Sequence, residues 1–146
     1  MKNKSICKFI NNGVASYLKE KEKLSKFITT FISEKSNRES HIQYIFVDDE
    51  FLLDLNQKFL QHDTLTDIIT FDLSKKKTDK LEAEIYISIP RVKENATLFQ
   101  VKYQHELHRV IFHGMLHLCS YNDKTPTQIA KMRKMELFCI EKYFNE

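Results

Sequence analysis

Apolar residues recur at two different periods along this chain, and the changes of period mark its elements. Val14, Tyr17, Leu18, Leu24, Phe27, Ile28, Phe31 and Ile32 stand at helical spacing, with alternating charges from Lys19 to Lys26 between them. That pattern predicts an amphipathic surface helix from Val14 to Ser33, entered from a turn at Asn11-Asn12-Gly13. His41 to Val47, Asp67 to Leu73 and Leu81 to Ile89 are rich in β-branched and aromatic residues and predict strands. In the third of these, Leu81, Ala83, Ile85, Ile87 and Ile89 fall on one face. Asp48-Asp49-Glu50 supplies an N-cap and first-turn acids for a helix through Phe51, Leu52, Leu55 and Phe59. The polar stretch Gln61-His62-Asp63-Thr64 ends that helix, and Ser74 to Lys80, with Lys75-Lys76-Lys77, reads as an exposed loop. Pro90 closes the third strand and opens a short helix from Arg91 to Leu98. A long helix is expected from about Tyr103 to Cys119. After a turn at 121–126, a final amphipathic helix runs from Thr127 to Phe144.

Strand, helix, strand, loop, strand and then helices predict an α+β fold, a small mixed four-stranded sheet packed against helices. No linker-like stretch and no internal repeat interrupts the 146 residues, which predicts a single domain over 1–146. Only two residues are glycine, Gly13 and Gly114, so no nucleotide-binding loop can be written and no nucleotide cofactor is expected. No apolar run approaches the ~18 residues of a spanning helix, and Met1 to Ser5 lacks the apolar core of a signal peptide. Three cysteines at scattered positions suit buried thiols in a reducing compartment, so a cytoplasmic protein is expected. A net charge of +3 permits an acidic partner such as nucleic acid without demanding one.

The candidate chemistry lies between Val110 and Asp123. His113 and His117 are four apart on the long helix, so they share a face about one turn apart. Two imidazoles at that spacing can meet one metal ion, and Asp123, after the turn, can bring a carboxylate. Three protein ligands leave a fourth position for water, as catalytic zinc sites do, and make one divalent ion, zinc first, the expected cofactor. The alternative is two hydrogen-bonded core histidines in an apolar helix. Cys119 lies ~200° round the helix from His117 and reads as a core thiol. Gly114 stands where a zincin carries its glutamate base, which disfavours a peptidase. A glycine inside a helix costs about 1 kcal/mol against alanine, so another element or the substrate is expected to pass close to Gly114.

The run from His113 through Gly114, His117, Cys119 and Asn122 to Asp123 resembles the signature of the YbeY family, bacterial metal-dependent endoribonucleases of ribosomal RNA maturation. Leu55-Asn56 and the run Thr66-Asp67-Ile68-Ile69-Thr70-Phe71 are similar to that family's asparagine and Thr-Asp-Val-Leu-Ser-Phe block. Glu84 to Ser88 resembles its following strand, and Met132, Arg133 and Glu136 fit its last helix. The resemblance covers about 42–141. It implies a single-strand endoribonuclease acting in small-subunit ribosomal RNA processing and ribosome quality control. The implied partners are ribosomal RNA, the small subunit or assembly proteins, with no membrane.

This chain departs from the family at three places. Asp123 replaces a third histidine, as in one branch of the family; Leu60 stands where many members carry a phosphate-handling arginine; Ala83-Glu84 replaces Gly-Asp. Cationic help is then expected from Arg91, Arg109 or the loop lysines, although Arg109 could equally pair with Glu106 or Glu136. Thr66 and Asp67 are expected to cap their strand or orient a ligand histidine, with direct substrate contact as the lesser alternative. Two other classes stay open: a ribosome-assembly factor with a mainly structural metal, and another metal enzyme, since two histidines and a carboxylate also suit a non-haem iron oxygenase.

Overall fold

The computed structural model describes residues 4–62, 65–76 and 79–145. Its elements run β1 (Ile6–Asn11), α1 (Lys21–Ser36), β2 (Ser40–Val47), α2 (Asp49–Leu60), β3 (Ile68–Asp72), β4 (Leu81–Ser88), α3 (Ile89–Leu98), α4 (Tyr103–Leu118) and α5 (Pro126–Phe144). The four strands form one sheet in the order β1-β2-β4-β3. β1, β2 and β4 are parallel, and β3 runs antiparallel to β4, with Ile68 opposite Ile87 and Asp72 opposite Ala83. The mixed α+β sheet of the sequence reading is therefore present. Asp63 and Thr64 after α2, and Lys77 in the lysine-rich loop, lie outside the described residues.

The N-terminal part holds one element that no sequence pattern predicted and corrects one that it did. The segment Ile6–Asn11 is a strand, with Cys7 and Phe9 turned into the core and Ile6, Lys8 and Ile10 on the outer face. Helix α1 begins at Lys21 rather than Val14, because Tyr17 and Glu20 both take left-handed backbone angles (φ 57° and 53°) that a right-handed helix cannot hold. The intervening chain is instead tied to α4: the Tyr103 hydroxyl donates to the Ser16 carbonyl at 2.6 Å, and the Gln104 amide donates to the Tyr17 carbonyl at 2.9 Å. At β4 the strand stops at Ser88, whose hydroxyl caps α3, so Ile89 opens the helix instead of ending the strand.

The sheet divides the interior into two cores. On one face α1, α3, α4 and α5 pack against Tyr44, Phe46, Leu81, Ile85 and Ile87, and here the deepest side chains meet. On the other face α2 covers a smaller cluster of Ile45, Val47, Leu52 and Ile69. Each fully buried Leu, Ile or Phe contributes roughly 1.5–3 kcal/mol, so the larger cluster carries most of the apolar stabilisation. Helix α4 is its centre: Leu107, Ile111, Phe112, Met115 and Leu116 are fully buried, and the buried Tyr44 hydroxyl donates to the Ile111 carbonyl at 2.9 Å. Among the described residues no helix is long and apolar enough to cross a membrane.

Gly114 lets α4 lie this close to the sheet. A methyl group there would stand 3.0 Å from the Ile85 Cδ1 and 3.1 Å from the Ile68 Cδ1. The close neighbour expected from the sequence is therefore the sheet, and the approach sets how far the α4 face stands from the β3 edge. Gly114→Val should cost about 2–3 kcal/mol in chemical denaturation through overpacking. Wild-type stability in that variant would contradict the close-approach reading.

Candidate metal centre

The face of α4 that leaves the core opens into a pocket of about 750 Å³. Leu60 at the end of α2, Asp67 just before β3 and Thr70 within it form one wall, and Arg109, His113 and His117 form the base. Asp123, Lys124 and Arg133 form the wall toward α5. The two imidazoles are one turn apart on α4, with ring centroids 4.6 Å apart and planes nearly perpendicular. Asp123 returns because the helix is stopped sharply. Ser120 takes φ 72°, its N–H donates to the His117 carbonyl, and the Tyr121 N–H donates to the Leu116 carbonyl. The next helix then starts from a capping box of Thr125 and Gln128, with Pro126 in its first turn. The turn between the two helices is thus held at both ends.

The result is a compact donor set. The His113 Nε2 lies 3.3 Å and the His117 Nε2 3.4 Å from the Asp123 Oδ2. One donor atom from each of the three residues fits within 4.8 Å of the others. Donors on a tetrahedral ion at ~2.0–2.1 Å stand about 3.3–3.4 Å apart, so this spacing suits one small divalent cation. The surroundings of His117 suit it too. Burial, and then the neighbouring His113, lower the His117 pKa, which keeps that ring neutral and its lone pair free.

His113 is oriented by Glu136, a residue whose role here the sequence reading did not assign. The Glu136 Oε2 lies 2.6 Å from the His113 Nδ1, so the ring donates there and turns the Nε2 lone pair to the pocket. The same carboxylate is almost fully enclosed and accepts through Oε1 from Arg109 (3.1 Å) and Arg133 (3.2 Å). Burial alone would raise the Glu136 pKa. The hydrogen bond from His113 and the charge of Arg109 outweigh it and hold the carboxyl below its ordinary value.

Arg109 resolves its two alternatives toward pairing. Its Nε and Nη2 donate to the two Glu106 oxygens at 2.9 and 2.8 Å, and its Nη2 approaches Asp67 at 3.7 Å. Burial lowers its pKa, but these carboxylates outweigh it and raise the value above that of a free guanidinium. Asp67 lines the pocket, where burial raises its pKa despite Arg109. Thr66 also lines it, its hydroxyl donating to the Ile68 carbonyl at 3.4 Å. Neither makes a described hydrogen bond to the histidines, so the orienting role expected of them falls to Glu136. Arg91 is not brought to the pocket: it pairs with Asp49 at 2.8 Å and Glu94 at 2.9 Å at the start of α3. Cys119 is half-buried against the main core, where burial pushes its thiol up to about 11.

A similar architecture is known. The solution structure of TM1509 from Thermotoga maritima superposes with a TM-score of 0.60 at 28% identity, over 96% of this chain and 93% of that one. The family model described as endoribonuclease YbeY matches residues 9–143, a wider span than the sequence motifs suggested. The endoribonuclease YbeY of Flavobacterium psychrophilum is 44% identical over 119 residues, 82% of this chain and 84% of that protein. That of Cytophaga hutchinsonii is 41% identical over 128 residues, 88% and 89% of the two chains. The chain belongs to the YbeY family.

Removing the Glu136 charge should be costly, because Arg109 and His113 would keep buried donors without their acceptor. Glu136→Ala is expected to lose about 3–5 kcal/mol of stability. The pH dependence has a definite sign. A carboxyl with a lowered folded pKa stabilises the fold above its ordinary value of 4.5, and that contribution is lost as the pH falls through the folded value. Acid unfolding below pH 4.5 should therefore be shallower in the variant. A loss under 1 kcal/mol with an unchanged acid limb would contradict the anchoring role.

Proposed function

We propose that this chain is a metal-dependent endoribonuclease, a hydrolase of RNA phosphodiester bonds that acts on single strands in small-subunit ribosomal RNA maturation and ribosome quality control. The observation that carries the reading is the donor set of His113, His117 and Asp123, spaced for one tetrahedral ion in an open pocket of a YbeY-family chain. Two imidazoles and a carboxylate suit zinc. Zinc, when bound, supplies a Lewis acid for a phosphoryl oxygen and lowers the pKa of water toward ~7.

The chain's own residues do the rest. His113 and His117 present ring nitrogens to the pocket, and Glu136 accepts from the His113 Nδ1, so that the Nε2 is the atom turned toward Asp123 and an ion. Asp123 closes the donor set from the opposite side, at the end of a turn fixed by the capping box of α5. Leu60, Ile68 and Leu118 line the pocket with apolar surface, which limits the water around a bound phosphate and strengthens its electrostatic contacts.

A second reading, a ribosome-assembly factor with a mainly structural metal, draws on the apolar Leu60 in the pocket wall. The two readings separate on one experiment. Purified wild type is expected to carry about one zinc per chain and to cleave unstructured RNA. His113→Ala and His117→Ala should lose both properties, and Asp123→Ala should lose zinc. RNA cleavage at wild-type rate in a metal-free double histidine variant would sink the enzymatic mechanism. Stoichiometric zinc with no cleavage above the variant background would favour the assembly factor.

A further inference from the structure

An RNA phosphate seated beside the two histidines needs cationic partners, because the pocket is rich in acids. Asp67, Asp72 and Asp123 line it together with Arg109, Lys124 and Arg133, and the buried Glu106 and Glu136 stand behind. Acids thus outnumber bases by two until a divalent cation evens the balance. Two of the expected phosphate partners are already committed. Arg91 is held by Asp49 and Glu94, and Arg109 faces three carboxylates with only 15% of its side chain exposed. On the α2 side Leu60, which lines the pocket and is partly exposed, offers no charge.

The uncommitted positive charge stands on the opposite wall. Lys124 follows Asp123 directly. Its backbone N–H donates to the Gln128 Oε1 at 3.0 Å, so its Cα is fixed by the capping box. Among the described residues no carboxylate pairs with its ammonium. Arg133 lies farther along α5 with 56% of its side chain exposed. It gives one donor to the Glu136 Oε1, an oxygen that Arg109 also takes, while the other Glu136 oxygen is held by His113. One carboxylate shared three ways leaves surplus charge on Arg133, which lines the pocket.

We infer that Lys124 and Arg133 are the phosphate-contacting pair of this cleft, seating the RNA backbone against the α4–α5 corner and turning its bases toward the apolar wall at Leu60. The inference rests on the endoribonuclease reading and assigns to α5 the cationic role that Leu60 cannot fill. It also accounts for a single-strand preference, since only unpaired bases can turn onto an apolar wall while their phosphates face the other way.

The test is the salt dependence of RNA binding by the zinc-loaded protein, read by fluorescence anisotropy with a short unstructured 2′-O-methyl RNA. Each phosphate contact on a single strand contributes about 0.7 to the slope of log K against log salt. The double variant Lys124→Gln/Arg133→Gln is expected to lower that slope by roughly 1.4 and to weaken binding roughly 10–30-fold near 0.1 M salt. The charge-keeping variant Lys124→Arg/Arg133→Lys should keep the wild-type slope, as should Lys26→Gln on the distant α1 surface. An unchanged slope in the double variant, or an equal fall in Lys26→Gln, would overturn the assignment. Wild-type protein that binds no RNA at all would instead sink the endoribonuclease reading itself.

Discussion

The Glu136 carboxylate is the constraint on which the rest of the site depends. It lies in the interior, where an unpaired charge would be prohibitive, and three groups keep it there: His113 on one oxygen, Arg109 and Arg133 on the other. Each partnership has a consequence. The His113 bond fixes a tautomer and aims a lone pair. The Arg109 bond links α4 to α5 and, through Glu106 and Asp67, ties both to the start of β3. The Arg133 bond holds a second cation at the pocket mouth. Two helices that meet through one buried acid cannot slide past each other without stranding a charge.

Backbone devices complete what that acid begins. Gly114 brings α4 down onto Ile85 and Ile68, which sets the depth of the pocket against the β3 edge. Ser120 stops the helix, and the capping box at Thr125 starts the next one. Asp123 sits between them with little freedom. The candidate ligands therefore come from one rigid helix and one short, doubly anchored turn, a better support for a small ion than a free loop.

How legible this was in the sequence differs by element. The three strands that alternate or run apolar, and the helices with strong periodicity, were readable because burial imposes that period. β1 was not: its six residues carry a lysine and sit at a sheet edge, where only one side is paired. The false start of α1 at Val14 came from spacing that happened to suit a helix, while Tyr17 and Glu20 adopt a backbone that side-chain pattern does not report. The histidines and Asp123 stood out because their spacing is chemical. Glu136 was visible only through its family resemblance and as a pairing alternative for Arg109. A closer signal was present, since it shares a helical stripe with Met132, Cys139, Ile140 and Tyr143. An acid on an apolar stripe needs a buried partner, and the partner is a candidate ligand, His113, 23 residues earlier.

The central claim is an open, three-donor metal centre oriented by Glu136, and anomalous diffraction at the zinc edge from crystals of the metal-loaded protein tests it most directly. The account predicts one ion bound through the His113 Nε2, the His117 Nε2 and an Asp123 oxygen at about 2.0–2.2 Å, with no fourth protein donor. It also predicts that Glu136 stays on the His113 Nδ1. An ion closed off by a fourth protein ligand such as Cys119, or seated away from these three residues, would contradict it.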